Sequence, residues 1–407
     1  MSSGSPERSP ESPLVITRSQ RLLFAGIHYL FGLGIMSWVT RFVDIKRNLG
    51  LSNAEFGSLL TLGTIGSLSA FLVMGHLVHV HGVRRILTIS AISTFLLIAL
   101  ATWVTSPVLF MFVNIFIAAA ISGFHVSITT QTMWMQEHLQ NGFASRMSGV
   151  WSIGALTTSV ISIIVAKLLS IEIHVTTLSL VVTIATLIIL RKLSPLLLGK
   201  NPQAAKKDAF ILAKFFTTLK VDWVVAFGLL FGSILEFVTA DWSSIYGREE
   251  LGLDPSLSVV PYFIFISAMI FGRFNFRKLE KKYELEKLVT VFGIAGGLSM
   301  AFGIIAGKLI ANTSPILGLV ACGIGFIGGG YGLSFMWAVF NLRGIERSDL
   351  GTSAVISQLA AFQNLAVFVV KNVVAIAAGI FGLPIAMLIP CVMLMFVGYF
   401  FRRASVN

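Results

Sequence analysis

Twelve stretches of this chain are long and apolar enough to cross a lipid bilayer, which leaves few folds open to it. A helix rises about 1.5 Å per residue, so a hydrocarbon layer about 30 Å thick takes about 20 mostly apolar residues. Such stretches lie near 22–42, 57–78, 86–104, 108–131, 147–168, 174–191, 223–246, 256–275, 288–307, 314–340, 351–378 and 382–401. They are too long and continuous to be the alternating strands of a membrane β-barrel. Composition points the same way: 56% of the 407 residues are hydrophobic and only 12% are charged, against about a quarter in a soluble domain. Disorder and a secreted disulfide scaffold are excluded, since Cys322 and Cys391, the two cysteines, both sit inside apolar runs. The Gly-rich region from Gly293 to Gly330 suits close helix packing in lipid.

Residues 1–20, rich in Ser, Pro and Glu, read as a disordered tail without the marks of a secretory signal, so the first span is expected to stay in the mature protein. The basic residues set the orientation. With the amino terminus inside, 23 Lys and Arg fall on the inner side, 6 on the outer side, and Lys371 lies within a span. Both termini are therefore expected in the cytoplasm, and the net charge of +12 reads as an orientation signal, not as an affinity for nucleic acid. The longest connection, 192–222, divides the chain into residues 21–191 and 223–403, six spans each. Local chemistry repeats across the two halves. Leu49-Gly50-Leu51-Ser52 follows the first span, with Ser52 and Glu55 at capping-box spacing, and Leu251-Gly252-Leu253-Asp254 follows the seventh, with Pro255 placed for the first helical position. Gly75-His76-Leu77-Val78-His79-Val80-His81-Gly82-Val83-Arg84-Arg85 after the second span has its counterpart in Gly272-Arg273-Phe274-Asn275-Phe276-Arg277-Lys278 after the eighth.

With this layout and these Gly-and-Arg segments, the chain resembles the major facilitator superfamily of secondary transporters. Ser37-Trp38-Val39-Thr40-Arg41, Met147-Ser148-Gly149-Val150-Trp151-Ser152 and Ala240-Asp241-Trp242-Ser243-Ser244 are similar to segments of its fucose-permease-like bacterial subgroup. The resemblance implies an all-α membrane protein of twelve transmembrane helices in two six-helix bundles. It also implies gate roles for Gly75, Gly82, Arg84, Arg85, Gly272 and Arg277. Two departures stand out. The family's loop acid is replaced by His79 and Phe276, and the subgroup's Asp-x-x-x-Asn-x-Gln in the fourth span is here His125, Thr129 and Gln131. Coupling is altered, or active transport has been lost.

Ionisable groups at bilayer depth are costly and by default mark a pathway. Glu236 lies about 20 Å along the seventh span, counted from its start at the helical rise. It is the expected proton carrier, with His125 as a relay partner; the competing reading is a hydrogen bond between helices. Arg41 and Asp241, near the outer ends of the first and seventh spans, are expected to pair across the outer mouth, or else to anchor at the interface. His28, Gln131, Gln363 and Asn364 are polar groups available to a solute, and equally to neighbouring helices. Trp38, Trp151 and Trp242 can stack on a ring or sit in an aromatic belt. Lys371 is expected to snorkel outward.

His76, His79 and His81 lack a thiol or carboxylate partner, so no metal site is expected. No nucleotide or phosphate-loop fingerprint appears, so no cofactor is expected and an ATP-driven pump is excluded for this chain alone. The expectation is a monomeric, proton-coupled transporter of a small neutral or weakly polar solute in a bacterial inner membrane, surrounded by lipid. The alternatives are a sensor or structural protein descended from a transporter, and a polytopic membrane enzyme.

Overall fold

In the computed structural model, residues 16–139, 143–195, 197, 222–348 and 352–405 are described. Each apolar stretch forms a helix, and most run past the lipid-crossing segment until a local stop signal. Span one (Arg18–Val39) starts inside the expected tail, where Thr17 caps it by accepting the Gln20 N–H at 3.2 Å. Span two (Asn53–His81) opens with the expected capping box. The Glu55 N–H reaches Ser52 Oγ at 3.3 Å, and Glu55 Oε2 accepts the Ser52 N–H at 2.9 Å. It ends only at Gly82, whose φ of 82° a side chain would strain. The segment 75–81 is thus helical and not a loop, and so is 272–278, because span eight runs from Val260 to Glu280. Apolar length measures the lipid crossing; capping and breaking residues decide where a helix stops.

Spans three to six are Val83–Trp103, Pro107–Leu139, Phe143–Val165 and Ile171–Lys192. Span seven (Trp223–Glu249) is capped by Asp222, which accepts the Val224 and Val225 N–H groups. Asp254 also caps as expected, taking the Ser256 and Leu257 N–H groups at 2.9 and 3.0 Å. Pro255, however, leads into a 3-10 turn (Leu257–Val259) before span eight, not directly into the helix. Span nine is Leu285–Ala311 and span eleven Thr352–Phe381. Spans ten and twelve are interrupted: ten is Pro315–Leu333 then Met336–Glu346, and twelve is Leu383–Ala386, Leu388–Met395 and Val397–Ser405. Among the described residues there is no strand.

Spans one to six pack on one another, as do seven to twelve, giving two six-helix bundles. Between the bundles, span two lies along span eleven and span five along span eight. A short helix, Phe42–Leu49, leans on span seven. Lipid offers helices little hydrophobic reason to associate, so close packing has to hold them. Spans nine and ten show this most clearly: a Cβ on Gly303 would stand 2.6 Å from the Gly325 Cα, so only glycine permits the approach. Elsewhere aromatic contacts fill the space, as where Phe31 of span one stacks on Phe124 of span four with centroids 4.1 Å apart. Alternation of the spans puts Ile16 and Ser405 at one end, called here the termini end; the loops after odd-numbered spans form the far end.

Candidate functional site

Two carboxylates on one helix organise the centre. Glu236 and Asp241 are five residues apart on span seven, which separates them by about 140° around the axis and about 7.5 Å along it. They therefore reach different neighbours. Glu236 Oε2 lies 3.6 Å from Arg273 Nη2 of span eight, with 30% of the Glu236 side chain and 34% of the Arg273 side chain exposed. That separation is a charge contact and too long for a hydrogen bond. Asp241 Oδ2 instead meets Lys371 Nζ of span eleven at 2.5 Å, with 14% and 19% exposed.

Arg273 is anchored at its root. Its Nε donates to the Ser334 carbonyl at 3.2 Å and its Nη2 to Met269 Sδ at 3.5 Å. Ser334 stands at the interruption of span ten, where helical hydrogen bonding lapses and leaves a carbonyl available. Tyr262 of span eight feels the charge of both Glu236 and Asp241, and its hydroxyl points across the halves to Met36 Sδ of span one at 4.0 Å. His125 of span four is deep in the protein yet well exposed, with the Phe31 ring at 6.4 Å.

Several polar contacts between the halves, among the described residues, lie at the far end. Lys46 Nζ meets Glu249 Oε1 at 2.6 Å and Oε2 at 2.7 Å, and Lys167 Nζ meets Asp254 Oδ2 at 2.9 Å. The Thr61 hydroxyl donates to Asn372 Oδ1 at 2.8 Å. Asp254 lies outside the spans. Burial pushes its carboxyl up, but the Lys167 hydrogen bond, the Leu257 and Ser256 N–H groups and the Lys167 charge outweigh this and hold it below the usual aspartate range.

Arg41 and Asp241 do not meet. Arg41 is buried in the first half, with Nε 2.5 Å from Asp44 Oδ2, Nη1 3.3 Å from His174 Nδ1 and Nη2 3.4 Å from the Leu169 carbonyl. It sits under a far-end cavity of about 370 Å³ that is also lined by Asp44, Lys167 and Glu172, away from the central charges. Lys371 does not snorkel, because a carboxylate within reach in the interior outweighs the route to water. His28 joins helices: Nε2 is 3.1 Å from Thr132 Oγ1 and Nδ1 3.3 Å from the Phe24 carbonyl. Gln363 donates to Ser233 Oγ at 2.7 Å, and Asn364 donates back to the Ala360 carbonyl at 2.9 Å.

Trp38 packs edge-on against Phe42, and Trp242 is buried beneath Gly57 of span two, so neither ring is open to a solute. Trp151 is half-buried on span five, and its carbonyl lies against Gly32. Gln131 is buried, with no hydrogen-bond partner on Nε2. Of the loop-signature residues, Arg84 donates from Nη2 to the Leu193 carbonyl at 2.5 Å, Arg85 is exposed, and Gly272 packs on Ser334. Gly75 and Arg277 lie on described helices, but their side-chain environments fall outside the described residues, as does that of His79. Phe276, standing where the family has an acid, stacks on Phe335 with centroids 4.6 Å apart.

Arg273, Tyr262 and the far-end pairs are the residues that sequence reasoning missed. A signal for the first existed: two acids and two bases, Glu236, Asp241, Arg273 and Lys371, lie within spans of one half, and balanced buried charge implies pairing.

The sequence matches the family profile of the Major Facilitator Superfamily over residues 22–370. The chain belongs to this superfamily. An uncharacterised transporter of the superfamily from Yersinia pestis is 24% identical over 310 residues, covering 75% of this chain and 76% of that protein. The membrane protein MosC of Rhizobium meliloti is 25% identical over 332 residues, covering 76% and 77%. Among solved structures, the nucleoside transporter NupG superposes with a TM-score of 0.70 at 15% identity, covering 95% of this chain and 99% of its own. A D-xylose-proton symporter superposes with a TM-score of 0.71 at 14% identity, covering 94% and 96%. The protein is therefore a multi-pass membrane protein of a transporter family, with the fold that family carries.

Proposed function

We propose that this protein is a secondary transporter that moves a small solute across the cytoplasmic membrane by alternating access, with Glu236 carrying the coupling proton. One observation supports the reading: the described polar contacts between the halves lie at the far end, while the paired charges at mid-span stay partly open. That is the arrangement of a two-faced carrier caught with one mouth shut. Lys46–Glu249 and Lys167–Asp254 are its far-end gate, in place of the Arg41–Asp241 pair expected from sequence. The basic-residue count supports placing the termini in the cytoplasm, which makes this the inward-facing state. The halves, 21–191 and 223–403, rock about the central charges with 192–222 between them, and one chain suffices.

A carboxylate whose counter-ion stands 3.6 Å away and shares no hydrogen bond with it can take up a proton without dismantling a network. In this reading His125, an exposed group within span four of the opposite half, serves as the relay partner. The D-xylose-proton symporter among the structural neighbours supports a proton as the coupling ion.

The test is uptake into proteoliposomes with an imposed pH gradient, comparing the parent with Glu236→Gln. The parent accumulates a member of a broad solute panel, while the variant exchanges it but does not accumulate it. Equal accumulation by both would remove Glu236 from coupling. Movement of no solute by either protein would favour a sensor descended from a transporter.

A further inference from the structure

Resting on the transport reading, we propose that the solute carries a single carboxylate, that Arg273 binds it, and that Glu236 occupies Arg273 while the site is empty. The two interior ion pairs differ in a way that points to this. Asp241–Lys371 is closed: 2.5 Å apart, with less than a fifth of either side chain exposed. Arg273–Glu236 is open: 3.6 Å apart, with about a third of each exposed. A guanidinium offers five N–H donors in a planar fork that matches a carboxylate two-on-two. Here Nε and Nη2 are tied to Ser334 and Met269, whereas Nη1 makes no hydrogen bond among the described residues. The group is thus fixed at its root and unfilled at its tip, which is how a receptor for an anion is built and not how a structural ion pair closes. A carboxylate that reaches Nη1 adds charge-assisted hydrogen bonds that this partly exposed guanidinium does not make with Glu236.

Charge counting narrows the class to a monoanion. Glu236, Asp241, Arg273 and Lys371 sum to zero, and Lys371 is already engaged. If a proton binds the Glu236 carboxylate, Arg273 loses its counter-ion, and one carboxylate restores neutrality. A dianion would leave a charge uncompensated, and a neutral solute would leave the guanidinium unpaired. The proton and the anion therefore enter together and the loaded site carries no net charge, so transport moves none. Among the described residues, Tyr262 on span eight interacts with both Glu236 and Asp241, Lys371 on span eleven pairs with Asp241, and Tyr331 on span ten packs beside Gly272, next to Arg273. His28 on span one and His125 on span four, which interact electrostatically with each other, belong to the opposite half.

The probes are lactate, benzoate and gluconate, each beside its neutral amide. Binding is read as ligand-induced thermal stabilisation of the purified protein, and transport as uptake into proteoliposomes with and without a potassium-diffusion potential. The expected result is that a carboxylate binds the parent and is carried, more strongly in acid, while its amide is not, and that the diffusion potential leaves uptake unchanged. Glu236→Gln frees Arg273 permanently. It should bind that carboxylate at neutral pH at least about tenfold tighter than the parent and without pH dependence, a gain that misfolding cannot mimic. Arg273→Gln should lose the binding, and Arg273→Lys, which keeps the charge but not the fork, should weaken it. If amides are bound and carried while carboxylates are not, or if Arg273→Gln binds the carboxylate like the parent, the inference is overturned and the transport reading stands. If neither class is bound or carried by the parent or by Glu236→Gln, the inference is overturned, and the transport reading falls only if the broad solute panel also shows no movement.

Discussion

Removing the charge of Lys46 should open the far end of the molecule. The Lys46 ammonium lies 2.6 and 2.7 Å from the two Glu249 oxygens and 2.5 Å from Asn53 Oδ1. Lys46 belongs to the first half and Glu249 to the second, so the pair exists only while that end is closed. An exposed pair is worth about 0–1 kcal/mol, whereas removing one partner of a fully buried pair costs about 3–5 kcal/mol. With 9% of the Lys46 side chain and 24% of the Glu249 side chain exposed, this pair falls between those limits. Lys46→Gln, which keeps a donor for Asn53, should cost the closed state about 1–3 kcal/mol, a shift of roughly 5- to 150-fold toward opening. The assay is double electron–electron resonance between spin labels at Leu168→Cys and Asn312→Cys, which are exposed in opposite halves at that end. Background labelling is low because Cys322 and Cys391 are both 0% exposed. A longer-distance population should appear in Lys46→Gln and in Glu249→Gln, and recede in the charge swap Lys46→Glu/Glu249→Lys. Unchanged distances in both single variants, with no restoration by the swap, would refute a gating role.

Three further outcomes are open to measurement. Because Asp254 is held below the usual aspartate value of about 3.9, the contribution of Lys167–Asp254 to closure is complete above that pH and is lost as pH falls below it. The label distance should therefore be flat from about pH 5 to 8, then lengthen as pH falls below the usual aspartate value, more in the parent than in Asp254→Asn, which retains a capping oxygen. Gly303→Leu must push against backbone 2.6 Å away, so it should lower stability by about 1–3 kcal/mol or more, read as a lower unfolding temperature in detergent. Gln363→Ala removes the 2.7 Å bond to Ser233 and should cost about 0.6–1.7 kcal/mol, with solute affinity within about twofold of the parent.

How legible the site was depended on the kind of question asked of each residue. Glu236 stood out because a carboxylate so deep in an apolar run is rare, and depth can be counted along the chain. Its partner Arg273 was assigned to the cytoplasmic side, since the apolar run ends at about 275 while the helix continues to Glu280. His28 and Gln363 were read as polar groups within spans, and Trp38 and Trp242 as rings for a solute or for the membrane interface. Whether they face a solute or a neighbouring helix was undecided, because both environments select the same side chains. In this structure Trp38 and Trp242 pack against Phe42 and Gly57, and His28 and Gln363 bond to Thr132 and Ser233.

The lipid crossing is a local constraint, and so the order of residues was enough to place twelve helices and the caps at Ser52 and Asp254. Hydrocarbon thickness is met one helix at a time, and a cap involves neighbours three or four positions away. Which charge meets which is a different matter. Arg41 turned to Asp44 and His174, and Asp241 to Lys371, because a partner is selected by angle around a helix and by the identity of the helix beside it. Those two quantities come into being only when the bundles pack, and with them came the Lys46–Glu249 pair between the halves and an arginine held 3.6 Å from its carboxylate.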